Sequence, residues 1–213
     1  MINKTWIIVL LTLLSCGKVN TIAPFDAEKK LGSSYALVDQ RVKDVPDDIS
    51  YNITYYPNQE HLTDLVEYLT EKVSSTQDKS RVIHDWIAVN IFYDYGHYDA
   101  SGSAPDSPWE VLRRRQAVCR GYTSLFYQMA QIAGLRVAKV NGAAANNHTW
   151  NAVDDGGVWQ HIDVTFDAGT FRNGTLTHQF KLTYFYKSAV FMSGITNHAY
   201  DGGIYHYDDT WQY

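Results

Sequence analysis

The sequence predicts an α+β fold in which a group of helices comes first and an antiparallel sheet follows. Apolar residues recur at helical spacing up to Gly134, whereas the segments after it alternate as strands do and contain a hairpin signal. The chain has 213 residues, of which 45% are hydrophobic and 19% charged, so it can bury one substantial core. We expect a single folded domain over residues 35–213.

The first 34 residues have the pattern of an export signal followed by a tether. Lys4 precedes an apolar run over residues 6–14, which is too short for a bilayer because a spanning helix needs roughly 20 apolar residues. The run ends in Leu-Leu-Ser-Cys at Cys16, which resembles the lipobox of bacterial lipoproteins. The alternative is an ordinary signal peptide with a chance cysteine. We expect a signal peptide over residues 1–15, lipidation of Cys16, and a polar tether over residues 16–34.

This interpretation has consequences for location and for partners. The protein would be exported and held by its lipid anchor at a membrane of the bacterial cell envelope. Lipidation of Cys16 would leave Cys119 as the one free thiol, because the chain has only 2 cysteines. The net charge of −5 argues against a nucleic-acid partner, since phosphate binding needs clustered Lys and Arg side chains.

Four segments before Gly134 have helical patterns. They cover residues 61–73, residues 78–91 with Asp78 as N-cap, residues 107–116 with Ser107 as N-cap, and residues 119–133. The last of these places Cys119 at a helix N-terminus, where the helix dipole favours a negative charge.

Three strands are predicted after Gly134, over residues 135–140, 148–153 and 158–164. Asp155-Gly156 between alternating residues is a strong hairpin signal. With these two residues as the loop, His148 lies directly opposite Asp163, and Trp150 directly opposite His161, all on one face of the sheet. A slip of one residue in the pairing would move the side chains of one strand to the other face of the sheet.

The residue types at these positions suit nucleophilic catalysis. A thiol attacks as its thiolate, and its pKa falls beside a helix N-terminus and an imidazolium. We expect Cys119 to be the nucleophile, His148 the general base and acid, and Asp163 the group that orients the imidazole. Two alternatives stay open: a surface pairing of His148 and Asp163 without chemistry, and a zinc site formed by these two residues with His161 and the thiolate.

Three blocks of sequence carry a family resemblance: Cys119-Arg120-Gly121-Tyr122, His148-Thr149-Trp150-Asn151, and residues 159–167. In order and spacing they resemble the signature blocks of the transglutaminase-like superfamily, and within it the kyphoscoliosis-peptidase branch. The resemblance implies a papain-like α+β fold, in which the helix bearing Cys119 packs on the antiparallel sheet that supplies His148 and Asp163. It also implies acyl transfer on amide bonds of a peptide or protein substrate, without a cofactor.

Five further residues are expected to line the substrate cleft or to support the catalytic side chains: Trp150, Asn151, His161, Arg120 and Tyr122. Arg120 departs from the family pattern, because many relatives carry an acidic residue after the cysteine. The remaining histidines, including His84 and His198, are expected to be structural.

The function that best fits these observations is a cysteine peptidase or amidase acting on envelope proteins or cell-wall peptides. A protein-crosslinking transglutaminase would use a lysine amine as the acyl acceptor, and a binding lipoprotein could keep the fold without turnover. Both remain alternatives.

Overall fold

A computed structural model describes residues 40–95, 107–142, 148–172, 175–177, 181–194, 198, 205 and 207–210. The predicted signal peptide, Cys16, the tether and the predicted start of the domain at residue 35 lie outside these residues.

Helices predominate among the described residues up to position 132, and two short helices follow later in the chain. They are α1 (Asp47–Tyr55), α2 (Gln59–Thr70), α3 (Thr76–Asn90), α4 (Pro108–Arg114), α5 (Cys119–Ile132), α6 (Val164–Asp167) and α7 (Ala189–Ser193). Three of the four predicted helical segments are recovered nearly in full as α2, α3 and α5, and the fourth as the shorter α4.

Within the described ranges, the strands form two four-stranded sheets. They are β1 (Phe92–Asp94), β2 (Gln116–Ala117), β3 (Val137–Asn141), β4 (Thr149–Asp155), β5 (Val158–Ile162), β6 (Thr170–Arg172), β7 (Thr175–Thr177) and β8 (Tyr207–Asp208). The main sheet has the order β5-β4-β3-β8 and is antiparallel throughout. The smaller sheet, of order β2-β1-β6-β7, mixes parallel and antiparallel pairs. The α+β prediction is confirmed.

Helix α3 begins earlier than the sequence suggested. Ser75, not Asp78, is the N-cap, and its hydroxyl oxygen accepts a hydrogen bond from the backbone N–H of Asp78 at 3.0 Å. The predicted N-cap was therefore wrong. Asp78 lies in the first turn, where its carboxylate still interacts favourably with the helix dipole.

Helix α4 ends earlier than expected. Ser107 is its N-cap and Pro108 its first residue, as predicted, although the Ser107 side chain makes no capping hydrogen bond. The helix ends at Arg114 because Arg115 adopts a left-handed conformation, with φ of 56°. Gln116 then lies in β2, where the sequence had predicted the end of the helix.

The helix that begins at Cys119 packs against the main sheet. The hydroxyl of Thr123 donates to the carbonyl of Thr149 at 3.1 Å, and the side-chain amide of Asn151 donates to the carbonyl of Thr123 at 3.2 Å. Leu125 and Met129, on the same helix, are fully buried in the larger hydrophobic core. The predicted packing of the cysteine-bearing helix on an antiparallel sheet is confirmed.

The two faces of β4 are covered differently. Asn151 faces α5, so alternation along the strand turns Trp150 to the opposite face. That second face carries a smaller core, to which Met192 and Tyr205 from the C-terminal part of the chain contribute. Helix α5 therefore covers one face of the sheet, and the C-terminal segment, which includes α7, covers the other.

The β4–β5 hairpin has a different register from the predicted one. Asp155 pairs with Val158, so that Gly156 and Gly157 form the loop, with φ values of 64° and 89°. A type I′ turn requires positive φ at both loop positions. Glycine adopts positive φ without strain, whereas an aspartate such as Asp155 in the loop would be less favourable. His161 consequently pairs with Ala152 and not with Trp150.

The predicted last strand also ends early. Strand β5 stops at Ile162, and residues 164–167 form α6 with Asp163 as its N-cap. The side chain of Asp163 accepts from the backbone N–H of Phe166, which explains why the chain turns into a helix here.

Across the described part of the chain, none of the helices combines the length and the apolar character needed to cross a membrane.

The turn makes a testable contribution to stability. Gly156→Val should lower the free energy of unfolding by about 1–2 kcal/mol, because a left-handed φ is unfavourable for a branched side chain. Gly156→Asn should change it by only a few tenths of a kcal/mol, since asparagine tolerates this conformation. A Cβ at this position meets nothing within 4 Å, so steric contact would not account for a difference. Urea denaturation followed by circular dichroism measures both variants, and equal losses would contradict the assigned turn.

Candidate active site

Cys119 is the first residue of α5. It follows directly on β2, with Val118 as the N-cap, and its side chain is partly exposed. The helix is 14 residues long, so the positive end of its dipole points at the thiol from within the first turn. This is the position that the sequence predicted.

His148 and Asp163 lie at neighbouring strand ends. His148 immediately precedes β4, and Asp163 immediately follows β5. The distance between His148 Nε2 and Asp163 Oδ2 is 2.6 Å. Both side chains are buried, so the imidazole N–H and the carboxylate meet in a poorly solvated place.

The two residues meet although they are not directly opposed. In the observed register, Asp163 continues the pairing at the position opposite Trp150, which makes His148 its diagonal neighbour. The prediction paired His148 with Asp163, whereas in the structure each residue of β4 pairs with a residue two positions further along the chain than predicted. A shift by an even number of residues keeps every side chain on the same face of the sheet. Diagonal neighbours are still within reach of long side chains.

The charges of this pair stabilise each other. Burial lowers the pKa of His148, but the charge of Asp163 and its hydrogen bond, together with a hydrogen bond to the Cys119 side chain and its charge, raise that pKa to about 10. Burial likewise raises the pKa of Asp163, but the charge and hydrogen bond of His148 and a hydrogen bond from His198 hold it well below its usual range. The pair is therefore favoured as an imidazolium and a carboxylate.

The ring nitrogens of His148 have separate tasks. An ionised carboxylate can only accept, so Nε2 of His148 must carry the proton that it donates to Oδ2 of Asp163. Nδ1 is the remaining nitrogen, and a hydrogen bond with the Cys119 side chain is among the causes that raise the pKa of His148. The tautomer follows from the contact with Asp163.

The imidazole of His148 is held between two aromatic rings. Its centroid lies 4.6 Å from that of Phe166, with 15° between the planes, and 5.6 Å from that of Trp150, with 21° between the planes. These stacked rings restrict rotation of the imidazole out of the plane of its hydrogen bonds.

Trp150 and His161 lie behind His148 and fix each other. The indole N–H of Trp150 donates to Nδ1 of His161 at 2.9 Å, and Nε2 of His161 lies 3.0 Å from the hydroxyl of Tyr207. Burial, followed by the charge of His198, lowers the pKa of His161 to about 4. His161 is thus neutral at neutral pH and accepts the hydrogen bond from Trp150.

The other three predicted supporting residues differ in position. Asn151 is buried and joins β4 to α5. Tyr122 is buried in the larger core, where its hydroxyl donates to the carbonyl of Ile91 at 2.8 Å, so it stabilises the fold and does not line a cleft. Arg120 is exposed beside Cys119 in the first turn of α5.

His198 was missed as a site residue. The sequence analysis assigned it a structural role, yet its Nε2 lies 2.7 Å from Oδ2 of Asp163, the same oxygen that binds His148. It is 35 residues away from Asp163 along the chain, so neither a strand register nor a motif spacing would have indicated the contact.

The metal alternative takes a different form in the structure. His161 is engaged with Trp150 and Tyr207, so the predicted zinc set of His148, His161, Asp163 and the thiolate does not assemble. His148, Asp163 and His198 do offer ligand atoms within 4.8 Å of one another. Zinc at this place would replace both N–H···O contacts and would require both Nε2 atoms to be deprotonated.

Comparisons with known proteins agree with this arrangement. The family model "Transglutaminase-like superfamily" matches residues 63–164, which include Cys119, His148 and Asp163. Kyphoscoliosis peptidase of Mus musculus is 28% identical over 138 residues, covering 59% of this chain and 21% of that protein. Hillarin of Drosophila melanogaster is 24% identical over 154 residues, covering 60% of this chain and 19% of that protein.

This chain thus spans about a fifth of the length of these curated relatives. Among solved structures, a candidate cysteine protease from Cytophaga hutchinsonii aligns with a TM-score of 0.43 and 21% identity, covering 65% of this chain and 48% of that one. The family assignment depends on the matched segment, and residues 63–164 of this chain belong to the transglutaminase-like superfamily.

Proposed function

We propose that the protein is a cysteine peptidase or amidase that works by acyl transfer through a thioester on Cys119. The observation that carries the proposal is the placement of His148, whose Nε2 is held by Asp163 at 2.6 Å while its other nitrogen is left for the thiol at the start of α5. Membership of the transglutaminase-like superfamily supports the same chemistry.

The first half of the reaction forms the thioester. The thiolate of Cys119 attacks the carbonyl carbon of an amide, and the imidazolium of His148 delivers its Nδ1 proton to the departing amine. The backbone N–H of Cys119 is a candidate donor to the developing oxyanion, because it belongs to the first turn of a helix.

The second half releases the acyl group. His148 takes a proton from the incoming nucleophile, which attacks the thioester carbonyl and restores the thiolate. Asp163 stabilises the imidazolium each time it forms and keeps Nε2 as the donor in both steps. Water as the nucleophile gives hydrolysis, and a lysine amine would give a crosslink.

We further propose that the chain is an exported lipoprotein anchored through Cys16, and that its substrates are envelope proteins or cell-wall peptides. Support comes from the apolar run over residues 6–14 and from the cysteine that follows it. A membrane-held thiol enzyme acts on material within reach of its tether.

Alkylation of Cys119 tests the ion pair. Because the raised pKa of about 10 keeps His148 protonated through neutral pH, iodoacetamide should alkylate Cys119 at pH 6 at least about tenfold faster than an unperturbed thiol. A second rise should follow above pH 10, when the imidazolium loses its proton. In His148→Ala the profile should revert to that of a thiol with a pKa near 8.5. Rates are measured by mass spectrometry of the peptide containing residue 119, and identical profiles for the two proteins would contradict the proposal and favour a binding protein.

Product analysis tests the reaction. Wild type should cleave envelope-derived peptides, Cys119→Ala should give no product, and Asp163→Asn should lower kcat by roughly ten- to a hundredfold, the loss expected for a hydrogen bond to a charged group. Val158→Ala, in the exposed part of the hairpin, is the matched control and should behave as wild type.

A primary amine added to the same reaction separates the two acceptors. Hydrolysis predicts that free carboxylate remains the main product at millimolar amine, whereas predominant amide formation would identify a crosslinking enzyme. Product from Cys119→Ala in either reaction would rule out the thioester.

Metabolic labelling with palmitate tests the anchor. The wild-type chain and Cys119→Ser should both incorporate label and partition with membranes, whereas Cys16→Ser should do neither, because Cys16 is the proposed lipid acceptor. Equal labelling of all three proteins would contradict the lipoprotein assignment.

A further inference from the structure

Asp163 is a shared acceptor. Its Oδ2 lies 2.6 Å from Nε2 of His148 and 2.7 Å from Nε2 of His198, and its Oδ1 lies 3.3 Å from the backbone N of Phe166. All three partners donate, since an ionised carboxylate only accepts. The proposed mechanism uses the contact of Asp163 with His148 but assigns no role to the imidazole of His198.

The surroundings of His198 favour an apolar side chain. The ring lies edge-on to Trp150 at 4.8 Å and to Phe166 at 5.0 Å, and it stacks on Tyr184 at 5.2 Å with 18° between the planes. The residue is completely buried. A phenylalanine or methionine would fill such a place without any polar atom to satisfy.

Burying a histidine at this place is energetically unfavourable, because one of its ring nitrogens is not hydrogen-bonded to any described residue. Its Nδ1 is buried and has no hydrogen-bond partner among the residues that the structure describes. A buried polar atom without a partner is unfavourable, so among the described residues the imidazole is compensated through its other nitrogen. That nitrogen contacts Asp163.

We propose that His198 is a positioning residue that holds the Asp163 carboxylate in the orientation needed by His148. The inference depends on the proposed function, in which Asp163 orients the catalytic imidazole. In this role His198 acts through its contact with Asp163.

The geometry gives this role a physical basis. A carboxylate at a strand end can rotate about its Cβ–Cγ bond, and a single hydrogen bond on Oδ2 leaves that rotation open. The donor on Oδ1 and the second donor on Oδ2 restrict this rotation, because any rotation then breaks the hydrogen bonds with both Phe166 and His198.

The backbone of His198 is itself fixed. The hydroxyl of Tyr205 donates to the carbonyl of His198 at 2.8 Å, and Tyr205 packs in the smaller core with Trp150. The C-terminal part of the chain thereby carries a hydrogen-bond donor onto the sheet face that bears Asp163.

A matched pair of substitutions isolates the donor. His198→Gln and His198→Met have side chains of the same length, and only glutamine places an N–H group where Nε2 of histidine lies. His198→Met should lower kcat by roughly ten- to a hundredfold with little change in KM, and His198→Gln should recover most of the loss. Thermal unfolding of the two variants controls for a general loss of structure.

The Asp163→Ala background separates positioning from packing. If His198 acts through Asp163, His198→Met should cause less than about a twofold further loss of kcat in that background, because interacting residues are not additive. A full additional loss there, or equal activities of the glutamine and methionine variants in the wild-type background, would overturn the inference.

Nuclear magnetic resonance of the wild-type protein with ¹⁵N-labelled histidine tests the contact without any assay of turnover. Two imidazole Nε2–H protons, of His148 and His198, should be protected from exchange, and both should shift in Asp163→Ala. Absence of the His198 signal would overturn the inference even in an active enzyme. Presence of both signals in a protein without amidase activity would instead count against the proposed function alone.

Discussion

The hydrogen bond of 2.6 Å between His148 and Asp163 is the contact on which the rest of the site depends. A carboxylate that is completely buried is tolerated only when cations or N–H donors surround it. Here the donors also define the chemistry, because the same contact fixes which nitrogen of His148 carries a proton. The sheet, the turn and the short helix after β5 all serve to bring these two strand ends together.

Helix α6 links that contact to the helical layer. Asp163 caps its start, and Asp167 is its last residue. Asp167 accepts from the backbone N–H of Tyr184 at 3.0 Å and lies 3.3 Å from Nε2 of His84 in α3. A helix of four residues has little stability of its own, so its position is set by what its two ends bind.

The aspartates at the two ends of α6 have opposite net pKa shifts, although burial raises the pKa of both. Burial raises the pKa of Asp167, and the hydrogen bond from His84 offsets this only in part. For Asp163 the charge of His148 and the hydrogen bonds of two imidazoles prevail, so its pKa falls. Two buried carboxylates four residues apart thus differ in their number of imidazole partners, and of the two only Asp163 has its pKa held below the usual range.

Periodicity and short motifs predicted most of what surrounds Cys119. Helices α2, α3 and α5 have clear apolar stripes, and the strands around the hairpin alternate or carry turn residues. Helix α1 and the smaller sheet were missed, because strands of two or three residues are too short to show a period, and the apolar positions of α1 are few. The predicted hairpin loop was displaced by one residue, which shifts the strand pairing by two. Asp163 was still predicted on the correct face, because side chains alternate with a period of two.

His198 shows where such reasoning stops. A strand register relates residues close in sequence, whereas this histidine reaches Asp163 from 35 residues away, through the packing of the C-terminal segment on the second face of the sheet. The family match ends at residue 164, so Cys119, His148 and Asp163 lie within it and His198 lies outside. The family segment thus contains the three residues of the proposed triad, and the chain beyond it supplies a donor that can restrain the carboxylate. Chains that share the three residues but differ in what covers this face would therefore differ in how firmly the imidazole is held.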